Sequence, residues 1–297
     1  MKKIFTLLFL CMSALVANAQ VLHEEIFNYP LGPLAGQGGW TEVFTGATFP
    51  VGEGRTVVNP PLTYSDGGGT YALSGLGNGF YMYDFGGVTP DNYIYKPFVS
   101  TPISSGVVYV TFLLKVNANL SSTNTEIFGL SDGTSAGPKV MIQKATPSST
   151  FKIGTTRGQA STAAYKYGAT IFTVGTTYLI VSKYDFATQT SSVFVNAAIG
   201  STSEPGSPEA FDNTSTTIKT QLNNLWHRNQ NAKGNFTVSG VRVSTTWAAA
   251  VAIPAIQLSA PIVGTASSIS NTGFTANWTS VSNSSGYDVA VYQGATL

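Results

Sequence analysis

Cleavage of a glycosidic bond needs two carboxyl groups facing it, roughly 5 to 9.5 Å apart. On a β-strand that means acidic residues at i and i+2 or i+4, because alternate side chains share a face. The chain offers no such pair. Glu24 and Glu25 are adjacent, so on a strand their side chains point to opposite faces. Glu204 and Glu209 flank Pro205-Gly206-Ser207-Pro208, a loop sequence, and Asp84 and Asp91 are too far apart for one strand face. A nucleophilic triad fares no better, since neither of the two histidines, His23 and His227, lies near a Gly-x-Ser-x-Gly elbow. His23 is expected to face solvent. Trp226-His227-Arg228-Asn229 reads either as a polar strand end or as part of a recognition rim. No catalytic residue is assigned.

Binding chemistry has better candidates. Aromatic residues make up 12% of the chain, and Gly79-Phe80-Tyr81-Met82-Tyr83-Asp84-Phe85 is dense in them. On a strand, Tyr81, Tyr83 and Phe85 share one face. That face is either core packing or a ledge on which the C–H face of a sugar ring stacks. Tyr81, Tyr83 and Trp226 are therefore the candidate ligand-binding residues. Metal signals are weak, with no Asp-x-Asp-x-Asp-Gly loop and no histidine pair at ligand spacing. Asp132 in Ser131-Asp132-Gly133 and Asp212 in Phe211-Asp212-Asn213 are conceivable calcium donors, or turn residues that bond the local backbone. No cofactor is expected beyond a structural calcium ion at such a site.

The elements that must carry these residues are strands. Gly (31) and Pro (14) punctuate the chain, and between them lie short runs rich in Val, Ile, Thr, Tyr and Phe. Expected strands are Val107–Val116, Thr125–Leu130, Lys139–Gln143, Phe151–Thr155, Thr177–Tyr184, Ser191–Val195 and Phe236–Val243. The pair around Phe186–Thr190 reads as a hairpin, and apolar Leu179, Ile180 and Val181 in succession imply a strand covered on both faces. The fold class is all-β: an antiparallel jelly-roll sandwich followed by part of an immunoglobulin-like sandwich. Trp247 to Ile256 reads as the end of the first domain and a linker, or as a short Ala-rich helix broken by Pro254.

The N-terminus has the three parts of a secretory signal peptide: Lys2-Lys3, an apolar run Ile4–Val16, and Ala17-Asn18-Ala19 as the cleavage site. The run is about 13 residues, short of the roughly 20 that span a bilayer. No transmembrane segment is expected after cleavage, and the product is secreted or held at the cell surface. The single cysteine, Cys11, leaves with the signal, which excludes disulfides, thiolate metal sites and cysteine nucleophiles. Only 10% of residues are charged, and 15 basic against 14 acidic side chains nearly cancel. A chain without a basic stripe is a poor partner for nucleic acid.

Two resemblances follow from these residues. Pro261–Leu297 resembles the first part of a fibronectin type III domain: Trp278 matches its core tryptophan, and Gly286-Tyr287-Asp288-Val289 its third strand. Trp278 is then expected to bury its ring between two sheets. With about 37 of some 90 residues present, the resemblance implies an incomplete domain and downstream domains of the same polypeptide. The region before it resembles the laminin-G-like, concanavalin-A-type jelly rolls of exported Bacteroidetes-type proteins. The resemblance rests on Glu24–Leu34 with Gly39-Trp40, the hairpin Tyr178–Asn196, and Gly240–Trp247. This fold also hosts glycoside hydrolases, but the laminarinase-type pattern Glu-x-Asp-x-x-Glu is absent. The expected organisation is signal 1–19, jelly roll 20–250, linker 251–259 and partial fibronectin type III domain 260–297. The expected function is a non-catalytic recognition or adhesion module for a glycan or a surface protein. The alternative is a carbohydrate-active protein or its carbohydrate-binding portion.

Overall fold

The computed structural model describes residues 20–44, 54–83, 91–118, 120, 124–133, 135–158, 165–230, 235–254, 261–270 and 272–280. The expected signal peptide, Asp84, Phe85, Tyr287 and Val289 lie outside these residues. The chain divides into two compact units, Met1–Pro254 and Ala255–Leu297.

The first unit is built from strands β1 (Val21–Glu25), β2 (Gly32–Pro33), β3 (Thr41–Phe44), β4 (Arg55–Val58), β5 (Gly79–Met82), β6 (Asp91–Pro97), β7 (Val107–Val116), β8 (Asn124–Ser131) and β9 (Ala136–Lys144). It continues through β10 (Thr150–Thr156), β11 (Lys166–Tyr167), β12 (Phe172–Thr173), β13 (Thr177–Asp185), β14 (Thr190–Val195), β15 (Ala210–Asp212), β16 (Asn224–Gln230) and β17 (Phe236–Ser244), and ends in a one-turn helix α1 (Trp247–Ala250). The larger sheet runs β15-β14-β13-β7-β17-β5-β4-β2, with β1 also on β17; the smaller runs β11-β10-β9-β8-β16-β6-β3, with β12 on β10. All these pairings are antiparallel, and the result is a jelly-roll sandwich. Each of the seven expected strands is present, and β7 coincides with its expected span.

Alternation decides what each strand buries. On β7, Val108, Val110, Phe112, Leu114 and Val116 enter the main core between the sheets, as do Phe80 and Met82 of β5 and Phe236 and Val238 of β17. Aromatic rings link the two layers: Trp40 meets Phe27 at 6.1 Å and Phe128 at 6.3 Å, and Phe128 meets Phe112 at 5.6 Å. At Gly240 (φ +57°) β17 slips register, so Val238 and Val241 both face inward. A Cβ there would strain the backbone and press on the Leu73 carbonyl oxygen at 3.0 Å.

The hairpin of β13 and β14 pairs Ile180 with Val195 through Asp185 with Thr190. Its two faces are both covered, as the successive apolar residues imply. Ile180, Tyr184 and Val193 belong to the main core. Val181 and Phe194 pack outside the larger sheet against Tyr109, Trp247, Ala250 and Val251, and Leu179 packs there with Tyr71, Leu73, Leu113 and Ile199. Trp247–Ala250 is therefore a lid helix. Thr246 caps it, its hydroxyl accepting from Ala249 N at 3.3 Å. The expected linker from 251 starts later: Val251 is fully buried, Gly200 N donates to its carbonyl, and Ala72 N donates to the carbonyl of Ala252.

Charge scarcity does not mean charge at the surface. Glu25 is 3% exposed and accepts from Phe27 N (2.7 Å), Tyr29 Oη (2.7 Å), Trp40 Nε1 (3.2 Å) and Lys96 Nζ (2.6 Å). Arg55 of the larger sheet and Glu42 of the smaller meet at 2.7 Å inside the sandwich, both nearly excluded from solvent. Burial pulls the Arg55 guanidinium down to about 10 against the support of Glu42 and Glu126.

His227 overturns the reading of its segment as a polar strand end. It lies within β16, fully buried, with ring contacts to Phe80 (5.3 Å) and Phe236 (5.7 Å). Its Nδ1 donates to the Ile127 carbonyl at 2.7 Å, which leaves the Nε2 lone pair without a partner among the described residues. Burial first, then the Arg55 charge, hold this imidazole well below its ordinary value; the Ile127 bond opposes them and Lys139 adds to them. A group with a depressed folded pKa that is neutral in the native state stabilises the fold above its unfolded value, about 6.5. The stability is lost as pH falls below that value, by up to about 1.4 kcal/mol per pH unit. We expect the melting temperature to drop between pH 6.5 and 5, and His227→Gln to flatten that limb. An unaltered limb in the variant would contradict the assignment. His23 is also not the solvent-facing residue expected: it is half-buried on β1, its pKa lowered by burial and then by Lys96.

In the second unit, Val263 faces Trp278 and Ser267 faces Thr275 in antiparallel bridges. Trp278 is 39% exposed and Phe274 49%.

Candidate binding face

The outer face of the larger sheet is divided into an apolar and a polar part. Under α1 and the β4–β5 connection it is apolar, as described above. One step along the strands it becomes a polar row. Register places Thr177 of β13 beside Lys115 of β7, Lys115 beside Thr237 of β17, Thr237 beside Tyr81 of β5, and Tyr81 beside Thr56 of β4. These side chains face outward because their strand neighbours Tyr178, Leu114, Val116, Phe236, Val238, Phe80, Met82 and Val57 are in the main core. From Thr177 to Tyr81 the row crosses three strand spacings, roughly 14 Å.

At the Thr177 end the row meets a cleft of about 590 Å³, lined by Thr63, Tyr64, Ser65, Thr70, Ser74 and Thr177. Every lining residue carries a hydroxyl. The wall comes from the β4–β5 connection and is internally fixed. Ser65 bridges Thr70, and Tyr64 N donates to Ser74 Oγ at 2.8 Å. At the tip, Asp66 accepts from Gly68 N (2.9 Å), Gly69 N (3.0 Å) and Ile199 N (2.8 Å). These backbone bonds, that of Ile199 foremost, hold the Asp66 carboxyl below its usual range. Leu62 N anchors the whole segment on Ser239 Oγ at 3.0 Å.

At the other end stand Tyr81 and Tyr83, their rings 4.4 Å apart and edge to face. Tyr81 Oη donates to Asn235 Oδ1 at 2.8 Å, and Tyr83 is 43% exposed. Asn117 Nδ2, donating to Thr237 Oγ1 at 2.9 Å, extends the polar row along β7.

No protein-family model matches the chain. No curated protein matches it either. Similar solved structures include a sialidase, at 12% identity and a TM-score of 0.43 over 77% of this chain and 19% of the sialidase. The T. cruzi calreticulin globular domain is similar at 11% identity and a TM-score of 0.40, over 75% and 87% of the two chains. The metal-free Emp46p carbohydrate recognition domain is similar at 9% and 0.36, over 70% and 88%. Likeness at this level says nothing of function, and the sandwich stands on its own strand registers.

The structure thus brings Tyr81 and Tyr83 together but not Trp226. Trp226 lies on the smaller sheet, flanked by core residues Leu225 and His227, so it faces away from the sandwich on the opposite side. It is only 2% exposed, stacked on Tyr93 at 4.1 Å and 20°, and packs as a covered residue rather than as a rim. The conceivable metal donors are occupied by protein groups. Asp212 accepts from Arg157 N (2.8 Å), Thr214 N (2.9 Å), Thr214 Oγ1 (3.1 Å), Ser215 N (3.2 Å) and Ser215 Oγ (2.5 Å). Asp132 accepts from Lys219 Nζ (2.7 Å) and Ser135 N (3.0 Å). Among the described residues no three His, Cys, Asp or Glu side chains converge on a metal position. The hydroxyl-lined cleft was missed from sequence. Its residues look like ordinary turn composition until the β4–β5 connection folds back onto β13.

Proposed function

We propose that the jelly roll is a non-catalytic glycan-recognition module of an exported multidomain protein, and that its ligand lies along the polar row of the larger sheet. The observation that carries this reading is the continuity of a hydroxyl-lined cleft with a row ending in paired tyrosines. Hydroxyls both donate and accept, so they match sugar hydroxyls in either direction. Tyrosine rings offer a flat face at low entropic cost. A small-molecule site of about 300 to 1,000 Å³ is usual, and the cleft falls in that range. The carboxylates of the fold support a non-catalytic role. Glu25, Glu42 and Glu126 are buried in ion pairs, and Glu24 is held by Arg242 at 2.6 Å. No helix among the described residues is long and apolar enough to cross a membrane.

A glycan array on the purified protein, run beside a reducing-sugar release assay, tests this. Binding without release is expected. Tyr83→Ala should weaken binding about ten-fold by loss of one stacking face while leaving the melting temperature unchanged. Sugar release abolished by changing one carboxylate would overturn the non-catalytic reading. Binding that is insensitive to Tyr83 and Thr177 variants would overturn the site.

A further inference from the structure

The polar row contains one charge. Lys115 sits at its centre, half-buried, between Thr177 and Thr237, with Asn117 and Leu113 its outward neighbours along β7. Four other buried or half-buried lysines of the fold are paired. Lys96, Lys139, Lys183 and Lys219 each hold a carboxylate oxygen, at 2.6, 2.8, 2.9 and 2.7 Å. Lys115 makes no ion pair or hydrogen bond among the described residues. Lys144, Lys152 and Lys166 are likewise unpaired but stand on β9, β10 and β11 of the other sheet.

We infer that Lys115 makes this groove selective for acidic saccharides, its ammonium pairing a carboxylate or sulfate group of the sugar. The inference rests on the reading of the groove as a glycan site and names the class of ligand. No carboxylate lines the cleft. Asp66, the acidic residue adjoining it, has its oxygens turned to three backbone N–H groups. The only full charge offered to a ligand by the row's described side chains is therefore positive. Hydroxyl neighbours leave all three ammonium protons available, and the partly covered position strengthens a contact that would be screened at an open surface. With 15 basic and 14 acidic residues the protein supplies little long-range attraction for anions, so selectivity would arise from this local contact.

Titration of the full chain with oligosaccharides of one backbone in neutral, carboxylated and sulfated forms decides the matter. The acidic forms should bind about ten- to a hundred-fold more tightly than the neutral one, as a charge-assisted hydrogen bond allows. Lys115→Gln should remove that preference while leaving the melting temperature unchanged, and Lys115→Arg should keep most of it. The carboxylated and sulfated arms identify which anion is preferred. Equal affinity for neutral and acidic forms, unmoved by Lys115→Gln, would overturn the inference and leave the glycan site standing. Absence of binding to every form would overturn both.

Discussion

Val181→Asp is expected to unfold the jelly roll at physiological temperature. Val181 is fully buried on β13, paired with Thr111 of β7 on one side and Phe194 of β14 on the other. Its methyl groups lie in the cluster of Tyr109, Phe194, Trp247, Ala250 and Val251. The substitution forfeits about 1.5 to 3 kcal/mol of apolar burial. It also places a carboxylate where the neighbouring described cations are engaged: Lys183, two residues on, is bound to Glu204 at 2.9 Å, and Arg242, across Thr111, to Glu24 at 2.6 Å. An isolated buried charge escapes part of its desolvation cost by taking up a proton, and even a neutral unpaired polar group costs roughly 1 to 3 kcal/mol. The sum is several kcal/mol against a typical stability of 5 to 15 kcal/mol. The sign of the pH dependence is distinctive. A carboxyl with a raised folded pKa destabilises most when ionised, so the variant should be worse at pH 8 than at pH 5. Val181→Thr, which keeps the shape and adds a neutral hydroxyl, should cost less and show no such pH dependence. Thermal melts of both variants decide it; a Val181→Asp protein melting like wild type would mean that α1 does not cover this strand.

The hairpin behind that prediction was legible because its signal is local. Three successive apolar residues, Leu179-Ile180-Val181, leave no polar face, and a strand with no polar face must be covered twice. β7 was legible for the same reason. Several of the strands beyond the seven expected ones, such as β2, β4, β11 and β12, are short, and each is defined by its partner strand rather than by its own residues; β6, seven residues long, is also among them. The aromatic run at 79–85 shows the limit of periodicity. Alternation correctly puts Tyr81 opposite in sense to Phe80 and Met82, but it cannot say that Trp226, equally aromatic, faces out from the other sheet. The cleft is a product of long-range contact, Thr177 lying over a hundred residues from the loop that faces it.

Where the charges sit is the property least visible in the sequence. A chain with 10% charged residues invites the idea of a neutral surface. The fold instead uses several of its few charges inside, where the smaller sheet places Glu42, Ile94 and His227 in one row across β3, β6 and β16. Sequence separation hides these pairs: Arg242 binds Glu24 from 218 positions away, and Lys96 binds Glu25 from 71. What a sequence does show is the cost that makes such pairing obligatory, since an ionised group on a buried strand must find a partner somewhere.

That obligation sets the second large effect. Glu42→Leu should destabilise the jelly roll by about 3 to 5 kcal/mol, the usual penalty for removing one partner of a buried pair. The loss comes less from the missing attraction than from Arg55, left with its charge inside the sandwich at 3% exposure. Arg55 cannot readily shed its proton, and its Cα partner Met82 is an apolar core residue. The double variant Glu42→Leu/Arg55→Met removes both charges and fills the space with apolar atoms. It should recover most of the stability, because a well-packed apolar replacement of a buried ion pair is often neutral or better. A double-mutant cycle by denaturant unfolding should therefore show strong non-additivity. The same variant carries a second reading through His227. With Arg55 gone, one of the charges that opposes imidazole protonation is absent. The acid-induced loss of stability below pH 6.5 should then become shallower than in wild type. Additive losses in the cycle, or an acid limb unchanged by removal of Arg55, would show that the pair and His227 do not share one buried environment.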